Sequence, residues 1–426
     1  MVDDARELPL LVTGGRRLRG RVTISGSKNA ALPVMAACLL TSRTVHLSNV
    51  PVIADTSVMA EIIQALGGEV DGEDGALEIT AREVSGTVPT GLGRRMRASI
   101  VLLGALIARA GEAHLPRPGG DAIGERRVEQ HLRGLRALGA KIEESADAFH
   151  ASAPRGLHGT RVLLDLPTVT GTENLMLAAA TAMGRTEIIN AAREPHVQDL
   201  AVCLNAMGAR ISGAGSDEIV IDGVSDLDGC QHEIISDYLE AGTYAFAIAA
   251  AGGDVTLECS RPQDLTHPLV KLEQAGAEVE MGDALIRIRR AARSQLRAVD
   301  LVTWVHPGFP TDLQAQYLAL MTQASGTSLI SEYLYENRYQ HVPDLVRMGA
   351  EIDVRGRDAL VTGPTSLHGA PVCASDIRSG AALVVAALAA EGRTEIARAW
   401  HIDRGYQDMV GKLRSLGAEV ERAAPP

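Results

Sequence analysis

The chain is poor in cysteine, aromatic rings and net positive charge, and it has no long apolar run. Its five cysteines, Cys38, Cys203, Cys230, Cys259 and Cys373, are far apart, odd in number and form no C-x-x-C pair. That excludes a disulfide framework or a cysteine zinc site and suits a reducing cytoplasm. The longest apolar stretch, Ala381 to Ala390, is half of the roughly 20 residues that a bilayer helix needs. The start, Met1-Val-Asp-Asp-Ala-Arg-Glu, has no basic and apolar leader pattern. A soluble, cytoplasmic protein with no membrane partner is expected. Forty-one Lys and Arg against 53 Asp and Glu leave a net charge of −12. A broad nucleic-acid footprint is therefore excluded, while a few local cations around a small anionic substrate are not. H-E-x-x-H, P-loop and G-x-S-x-G strings are absent as well, so the common metal, nucleotide-triphosphate and hydrolase signatures do not apply.

What is present is globular. Hydrophobic residues make up 46% and aromatics only 3%, with 43 glycines and abundant alanine, a mixture suited to tight turns and close helix packing. At roughly 150 residues per domain, 426 residues suggest two or three domains.

One short string recurs six times: an apolar residue, Gly, a small residue, a polar residue, then Val or Ile. Its glycines are Gly67, Gly139, Gly208, Gly276, Gly349 and Gly417, spaced by 68 to 73 residues. Before each runs an amphipathic helix pattern, such as Val128–Leu138 or Asp408–Leu416. The glycine supplies a left-handed cap and the residues after it alternate as a strand does. About thirty residues earlier in each unit lies a helix that is apolar on nearly all sides. These are Ala30–Leu40, Met96–Ala108, Glu173–Met183, Leu239–Ala251, Asp312–Thr322 and Ile377–Ala390. Six α/β units, each with a mixed sheet and two helices, thus tile the chain. Two domains of three units each are expected, with the boundary near Gly229–Ser236. An open solenoid would need polar terminal caps, which the end units lack.

Chemistry-bearing residues fall on a few loops. Ser25-Gly-Ser-Lys28-Asn29 precedes the first buried helix, where a Lys and an Asn at a helix N-terminus can hold an anion or simply cap the helix. Arg94-Arg95-Met96-Arg97 opens the second. Three arginines in a first turn oppose the usual preference for acids there, so they read as an anion site or as a solvated charge cluster. Pro116-Arg-Pro-Gly119-Gly120-Asp121-Ala-Ile-Gly124-Glu-Arg126-Arg127 reads as a mobile glycine-rich loop. In Pro310-Thr311-Asp312 capping alone would explain the aspartate. Tyr335-Glu-Asn-Arg338, Ser375-Asp376-Ile-Arg378 and His401-Ile-Asp403-Arg404-Gly-Tyr406 complete the set, and their Asp–Arg pairs read as structural or catalytic.

Taken in order, these strings, with Ala-Ala-Arg-Glu-Pro195 between them, resemble the enolpyruvyl transferases that use UDP-N-acetylglucosamine. The likeness covers essentially the whole chain. It implies an inside-out α/β barrel of two domains with three repeats each: 28–235, and 1–27 plus 236–426. It implies two small-molecule substrates, phosphoenolpyruvate and UDP-N-acetylglucosamine, with no cofactor and no metal. The sugar 3-hydroxyl attacks the central carbon of phosphoenolpyruvate, and a tetrahedral adduct then loses phosphate, opening peptidoglycan synthesis. By the resemblance Lys28, Asn29, Arg126 and Arg404 take phosphoenolpyruvate, with Arg97 and Arg378 nearby. Arginine forks match its carboxylate and phosphate groups. Asp312 is the sugar-side base or orienting group. Arg126, Arg127, Val128, Glu129 and Gln130 form the uridine side with Leu166, Pro167, Thr168, Val169 and Leu334. Arg338 and Asp376 complete the substrate-binding set.

Three positions depart from the family pattern. Asp121 stands where the family usually has the cysteine that donates a proton and is alkylated by fosfomycin. Asp121 is then the expected general acid, beside Lys28, Asp312 and Arg404 in the catalytic set. Tyr238 replaces a common Arg, and Trp304 a smaller residue. The residues leave open another uridine nucleotide as acceptor, or a paralogue that only binds the nucleotide sugar.

Overall fold

The structure is a computed structural model that describes residues 8–291 and 294–424. The acidic start at residues 1–7, read above for a leader, lies outside the described residues. Two compact units divide the chain. The first holds residues up to Ser25, Ala122–Glu125 and everything from Ser236. The second holds Gly26–Asp121 and Arg126–Ile235.

Each unit carries three small sheets, all mixed except the antiparallel one around Ala148–Ser152. In the second unit they run Gln231–Glu233, Val45–Ser48, Ala76–Thr80, Glu69–Glu73; Glu112–Pro116, Ala148–Ser152, Lys141–Glu144; and Arg210–Ser212, Glu218–Asp222, Arg185–Ile189, Arg161–Leu163. The first unit repeats the plan around the central strands Gly253–Glu258 with Leu285–Arg290, Ala324–Ser331 with Asp358–Gly363, and Arg393–Ala397 with Leu10–Thr13. The six repeat glycines all adopt φ between +90° and +102°, the left-handed region that a side chain with a Cβ rarely enters. Each ends a surface helix and launches a strand. In five cases that strand hairpins with the next in sequence. In the sixth, Glu419–Arg422 pairs instead with Leu10–Thr13 from the other end of the sequence.

The apolar helices are buried as their composition demands. In the second unit they are α1 (Lys28–Ala37), α2 (Leu102–Ala110) and α3 (Val169–Ala179). In the first they are α4 (Tyr238–Ala251), α5 (Gln314–Met321) and α6 (Ile377–Ala389). Every residue of α4 from Tyr238 to Ala250 is buried. Close packing rests on small residues. A Cβ on Gly104 of α2 would lie 2.2 Å from the Asn174 carbonyl oxygen of α3, and the Gly104 N–H donates to Asn174 Oδ1 at 2.5 Å. The expected helices Met96–Ala108 and Asp312–Thr322 open as 3-10 turns, Arg97–Val101 and Thr311–Leu313, before α2 and α5 begin. No helix among the described residues is long and apolar enough to cross a membrane.

Candidate active site

The candidate residues fall into two groups, one in each unit. In the second unit, Lys28 and Asn29 form the first turn of α1, both half-buried. Lys28 Nζ lies 3.5 Å from Asp55 Oδ2 of the helix Ala54–Ala65, and both side chains are largely screened from water. The turn contains no acid of its own. A cation beside the positive end of a helix is the arrangement that an anionic ligand would stabilise.

The arginine cluster resolves into two kinds. Arg94 pairs with Asp147 at 2.8 Å and Arg95 with Glu61 at 2.7 Å, both on the surface. The solvated reading holds for these two. Arg97 turns the other way and donates to the backbone carbonyl of Arg126. Gly120 makes that possible. Its φ is +115°, and a Cβ there would sit 2.9 Å from Arg97 Cβ and 3.2 Å from Arg126 Nη1. Gly119 is needed for a similar reason, since its Cβ would meet the Arg94 carbonyl oxygen at 2.0 Å. The glycines of this loop, read from sequence as a source of mobility, also stand where neighbouring groups approach closely. Asp121 is half-buried next to them.

Of the expected nucleotide-side residues, Gln130 meets the turn that leads into Pro167 and Thr168. Gln130 Oε1 accepts from the backbone N–H of Asp165 (2.6 Å) and Leu166 (3.3 Å), while its Nε2 donates to the Leu166 carbonyl (3.2 Å). Thr168 caps α3 by accepting from the Gly171 N–H, and Val169 begins that helix. Arg127 and Glu129 are exposed, Pro167 is half-buried, Val128 is buried, and Leu166 keeps 69% of its surface free. Beneath them lies His131, which the sequence reading missed. Burial, reinforced by the charge of Arg97, lowers it to about 3, so the ring is neutral. Its ring nitrogens face Asn174 Nδ2 (3.1 Å) and the Thr170 hydroxyl (3.3 Å), tying the helix Glu129–Ala137 to α3.

In the first unit, Asp312 lies inside the Thr311–Leu313 turn and not at the cap position of either that turn or α5. This corrects the reading of Asp312 as a simple helix cap. Its carboxylate is clamped: Oδ1 accepts from Arg338 Nη2, and Oδ2 accepts from Arg378 Nη2 at 3.1 Å. Arg338 and Arg378 are 6% and 5% exposed, so these are buried cations gathered on one carboxylate. Burial alone would push Arg378 down. The Tyr406 oxygen, Asp312 and Asp237 outweigh it and hold the guanidinium above its usual range.

The Tyr335-Glu-Asn-Arg338 string divides its work. Glu336 accepts from the Glu125 N–H at 2.6 Å, and Asn337 donates to the Ala122 carbonyl at 2.9 Å, which holds Ala122–Glu125 in this unit. Arg338 goes to Asp312 and lies over the Tyr335 ring. Leu334 is positioned by Glu332, a buried residue that sequence reasoning passed over. Glu332 Oε1 accepts from the N–H groups of Leu334 and Tyr335, and Oε2 accepts from the Thr311 hydroxyl beside Asp312. Asp376 caps α6 through the Arg378 and Ser379 N–H groups, at 2.9 and 3.1 Å. Arg404 is half-buried at the end of the short helix Trp400–Asp403, whose Asp403 pairs with Arg422. Of the departures, Tyr238 is buried at the start of α4. Trp304 is 56% exposed, edge-on to Tyr333 at 6.3 Å.

Comparison with known proteins completes the picture. The profile of the family described as EPSP synthase (3-phosphoshikimate 1-carboxyvinyltransferase) matches residues 12–413. A UDP-N-acetylglucosamine 1-carboxyvinyltransferase of Sorangium cellulosum is 50% identical over 413 residues, covering 96% of this chain and 97% of its own. One from Gluconacetobacter diazotrophicus is 46% identical over 415 residues, covering 97% and 98%. Among solved structures, the enolpyruvyl transferase NikO from Streptomyces tendae superposes with a TM-score of 0.87 at 27% identity, over 98% of this chain and 99% of that one. An EPSP synthase from Acinetobacter baumannii shares the fold alone, with a TM-score of 0.76 at 17% identity over 98% and 100% of the two chains. With full-length matches to the family profile and to curated relatives, the chain belongs to the UDP-N-acetylglucosamine 1-carboxyvinyltransferases, within the EPSP synthase family of enolpyruvyl transferases.

Proposed function

We propose that the chain transfers the enolpyruvyl group of phosphoenolpyruvate to the 3-hydroxyl of UDP-N-acetylglucosamine and releases phosphate, the first committed step of peptidoglycan synthesis. The observation that carries this reading is 46–50% identity over nearly the full chain to proteins of that name. The half-buried Asp312 carboxylate held by the buried Arg338 and Arg378 supports it, because two cations taken out of water to hold one carboxylate are costly to bury.

In this reading the sugar oxygen bonds to the central carbon of phosphoenolpyruvate while the methylene carbon gains a proton. The adduct then loses that proton and phosphate, leaving the enolpyruvyl ether. Lys28, Asn29, Arg97, Arg126 and Arg404 hold phosphoenolpyruvate. Asp312 receives or orients the sugar hydroxyl, with Arg338 and Arg378 fixing the carboxylate. Asp121 gives the proton to the methylene. A free aspartate has a pKa near 3.9, so closure around bound substrate must exclude water and raise it. Arg127 through Gln130, Leu166 through Val169 and Leu334 take the nucleotide, and Asp376 supports the substrate side by fixing the start of α6.

The architecture fits an inside-out barrel in each of two domains, 28–235 and 1–27 plus 236–426, with three repeats apiece. The reaction serves cell-wall growth, and with it cell shape and division, in the cytoplasm. Phosphate release from phosphoenolpyruvate, measured with a panel of uridine nucleotides, tests the proposal. Release with UDP-N-acetylglucosamine supports it, and release only with another nucleotide changes the acceptor.

A further inference from the structure

The Asp312 cluster extends inward to Tyr406, the last residue of the His401–Tyr406 string, to which the sequence motifs gave no role. Tyr406 is 2% exposed, and its hydroxyl is the meeting point of three side chains. Arg378 Nη1 donates to it at 3.0 Å and Gln316 Nε2 at 3.1 Å, and the Thr243 hydroxyl lies 2.9 Å away. The protons can be followed through this set. A phenol oxygen accepts twice, and Arg378 and Gln316 supply both donors. The phenol's own proton then goes to Thr243, whose hydroxyl proton goes to the Leu239 carbonyl of α4 at 2.8 Å. Gln316 Nε2 also lies 3.1 Å from both the Thr243 hydroxyl and the backbone carbonyl of Asp312, so its two protons are shared among three acceptors. Three side chains thus hold the buried hydroxyl, which cannot rotate without breaking a buried bond.

The consequence lies at Arg378. Its two terminal nitrogens serve different partners, Nη1 the Tyr406 hydroxyl and Nη2 the Asp312 carboxylate. The Tyr406 ring lies under the same guanidinium, with the central carbon 5.5 Å from the ring centroid. A guanidinium is planar, so fixing one nitrogen and one face fixes the direction of the other nitrogen. We infer that Tyr406 is a positioning residue for the transfer reaction, holding Arg378 in the one rotation that presents Nη2 to Asp312. The inference rests on the proposed reaction for its kinetic consequence, but the restraint on Arg378 exists whatever the reaction.

Tyr406→Phe is the direct test, since it keeps the ring and removes only the hydroxyl. The first measurement is independent of activity. The side-chain N–H signals of Arg378 are followed by nitrogen-15 NMR and assigned by their loss in Arg378→Lys. In the unaltered protein they should be resolved and protected from exchange. In Tyr406→Phe they should broaden or exchange at least tenfold faster, and unchanged signals would overturn the inference. The second measurement is steady-state kinetics as a double-mutant cycle. Tyr406→Phe should lower kcat about tenfold with little change in the KM for the nucleotide sugar, and should add almost nothing in an Arg378→Lys background. Full additivity of the two losses would show that Tyr406 acts only through general stability, and would also overturn it. Should Tyr406→Phe fail to fold, Thr243→Val removes the acceptor of the phenol proton and should shift the Arg378 signals in the same direction. A protein inactive with every nucleotide but showing the Arg378 effect would sink the proposed reaction and leave the positioning role standing.

Discussion

Asp312 and Arg378, 66 positions apart in sequence, meet through Oδ2 and Nη2 at 3.1 Å, and Arg338 occupies the other carboxylate oxygen. The pairing makes Asp312 an oriented charge and gives the proposed site a fixed axis. It also separates the role of the charge from that of the shape.

Asp312→Asn keeps the shape and removes the charge. General-base assistance contributes about 10²–10⁴ in rate, so turnover should fall by at least about 100-fold. Binding of the nucleotide sugar, read by calorimetry, should change little. Two buried guanidinium groups would lose their anion, and the variant should also melt earlier, by the equivalent of about 1–3 kcal/mol. Near-normal turnover would reduce Asp312 to a structural ligand of its two arginines.

Arg404→Lys should fail differently. The charge survives and the planar fork does not. The expected defect is a raised KM for phosphoenolpyruvate with nucleotide-sugar binding near normal. Equal weakening toward both substrates in steady-state kinetics would contradict the assignment.

Glu173, fully buried in α3 with Oε1 lacking a hydrogen-bond partner, gives a pH dependence. Burial, and then the charge of Glu194, raises it from 4.5 to about 8. The folded chain therefore keeps this proton in a range where the unfolded chain has lost it. Stability should fall as pH rises from about 4.5 to about 8, by at most roughly 5 kcal/mol. Glu173→Gln should flatten that slope and raise Tm at pH 8.5 relative to the unaltered protein, with no gain at pH 4. Parallel Tm profiles for the two proteins would contradict this.

Asp121 should leave the chain insensitive to fosfomycin, because the epoxide needs a thiolate and a carboxylate is a much poorer nucleophile. Intact-mass measurement after incubation should show no stable adduct and retained activity, while Asp121→Cys should gain both adduct and inhibition. An adduct on the unaltered chain with loss of activity would overturn it. The most reactive thiol lies elsewhere. A hydrogen bond from Cys203, helped by His232, brings the half-buried Cys230 down to about 7. A small alkylating reagent at neutral pH should label Cys230 before Cys373, as peptide mapping would show.

Much of the fold was legible because it depends on local pattern. Helices apolar on all sides must be buried, and a glycine after an amphipathic helix takes a left-handed cap wherever it occurs. The site was legible only in part. Gln130 meets Leu166 and Arg97 turns inward to the Arg126 carbonyl, all residues that the motifs name, but nothing local distinguishes Arg97 from Arg94 and Arg95, whose partners Asp147 and Glu61 lie in other elements. Asp312 looked like a cap because its neighbours Pro310 and Thr311 are capping residues, whereas its partners are supplied by later segments. His131, Glu173 and Glu332 gave no signal, and Tyr406 was named only as the end of a motif, since the burial of a polar group is decided by what packs over it.

The most direct test of the account is phosphate release from phosphoenolpyruvate in the presence of UDP-N-acetylglucosamine, followed by mass measurement of the nucleotide product. The account predicts one phosphate per nucleotide consumed and a product heavier by one enolpyruvyl group, with both lost in Asp121→Asn. Binding of UDP-N-acetylglucosamine with no phosphate release and no mass change would contradict it.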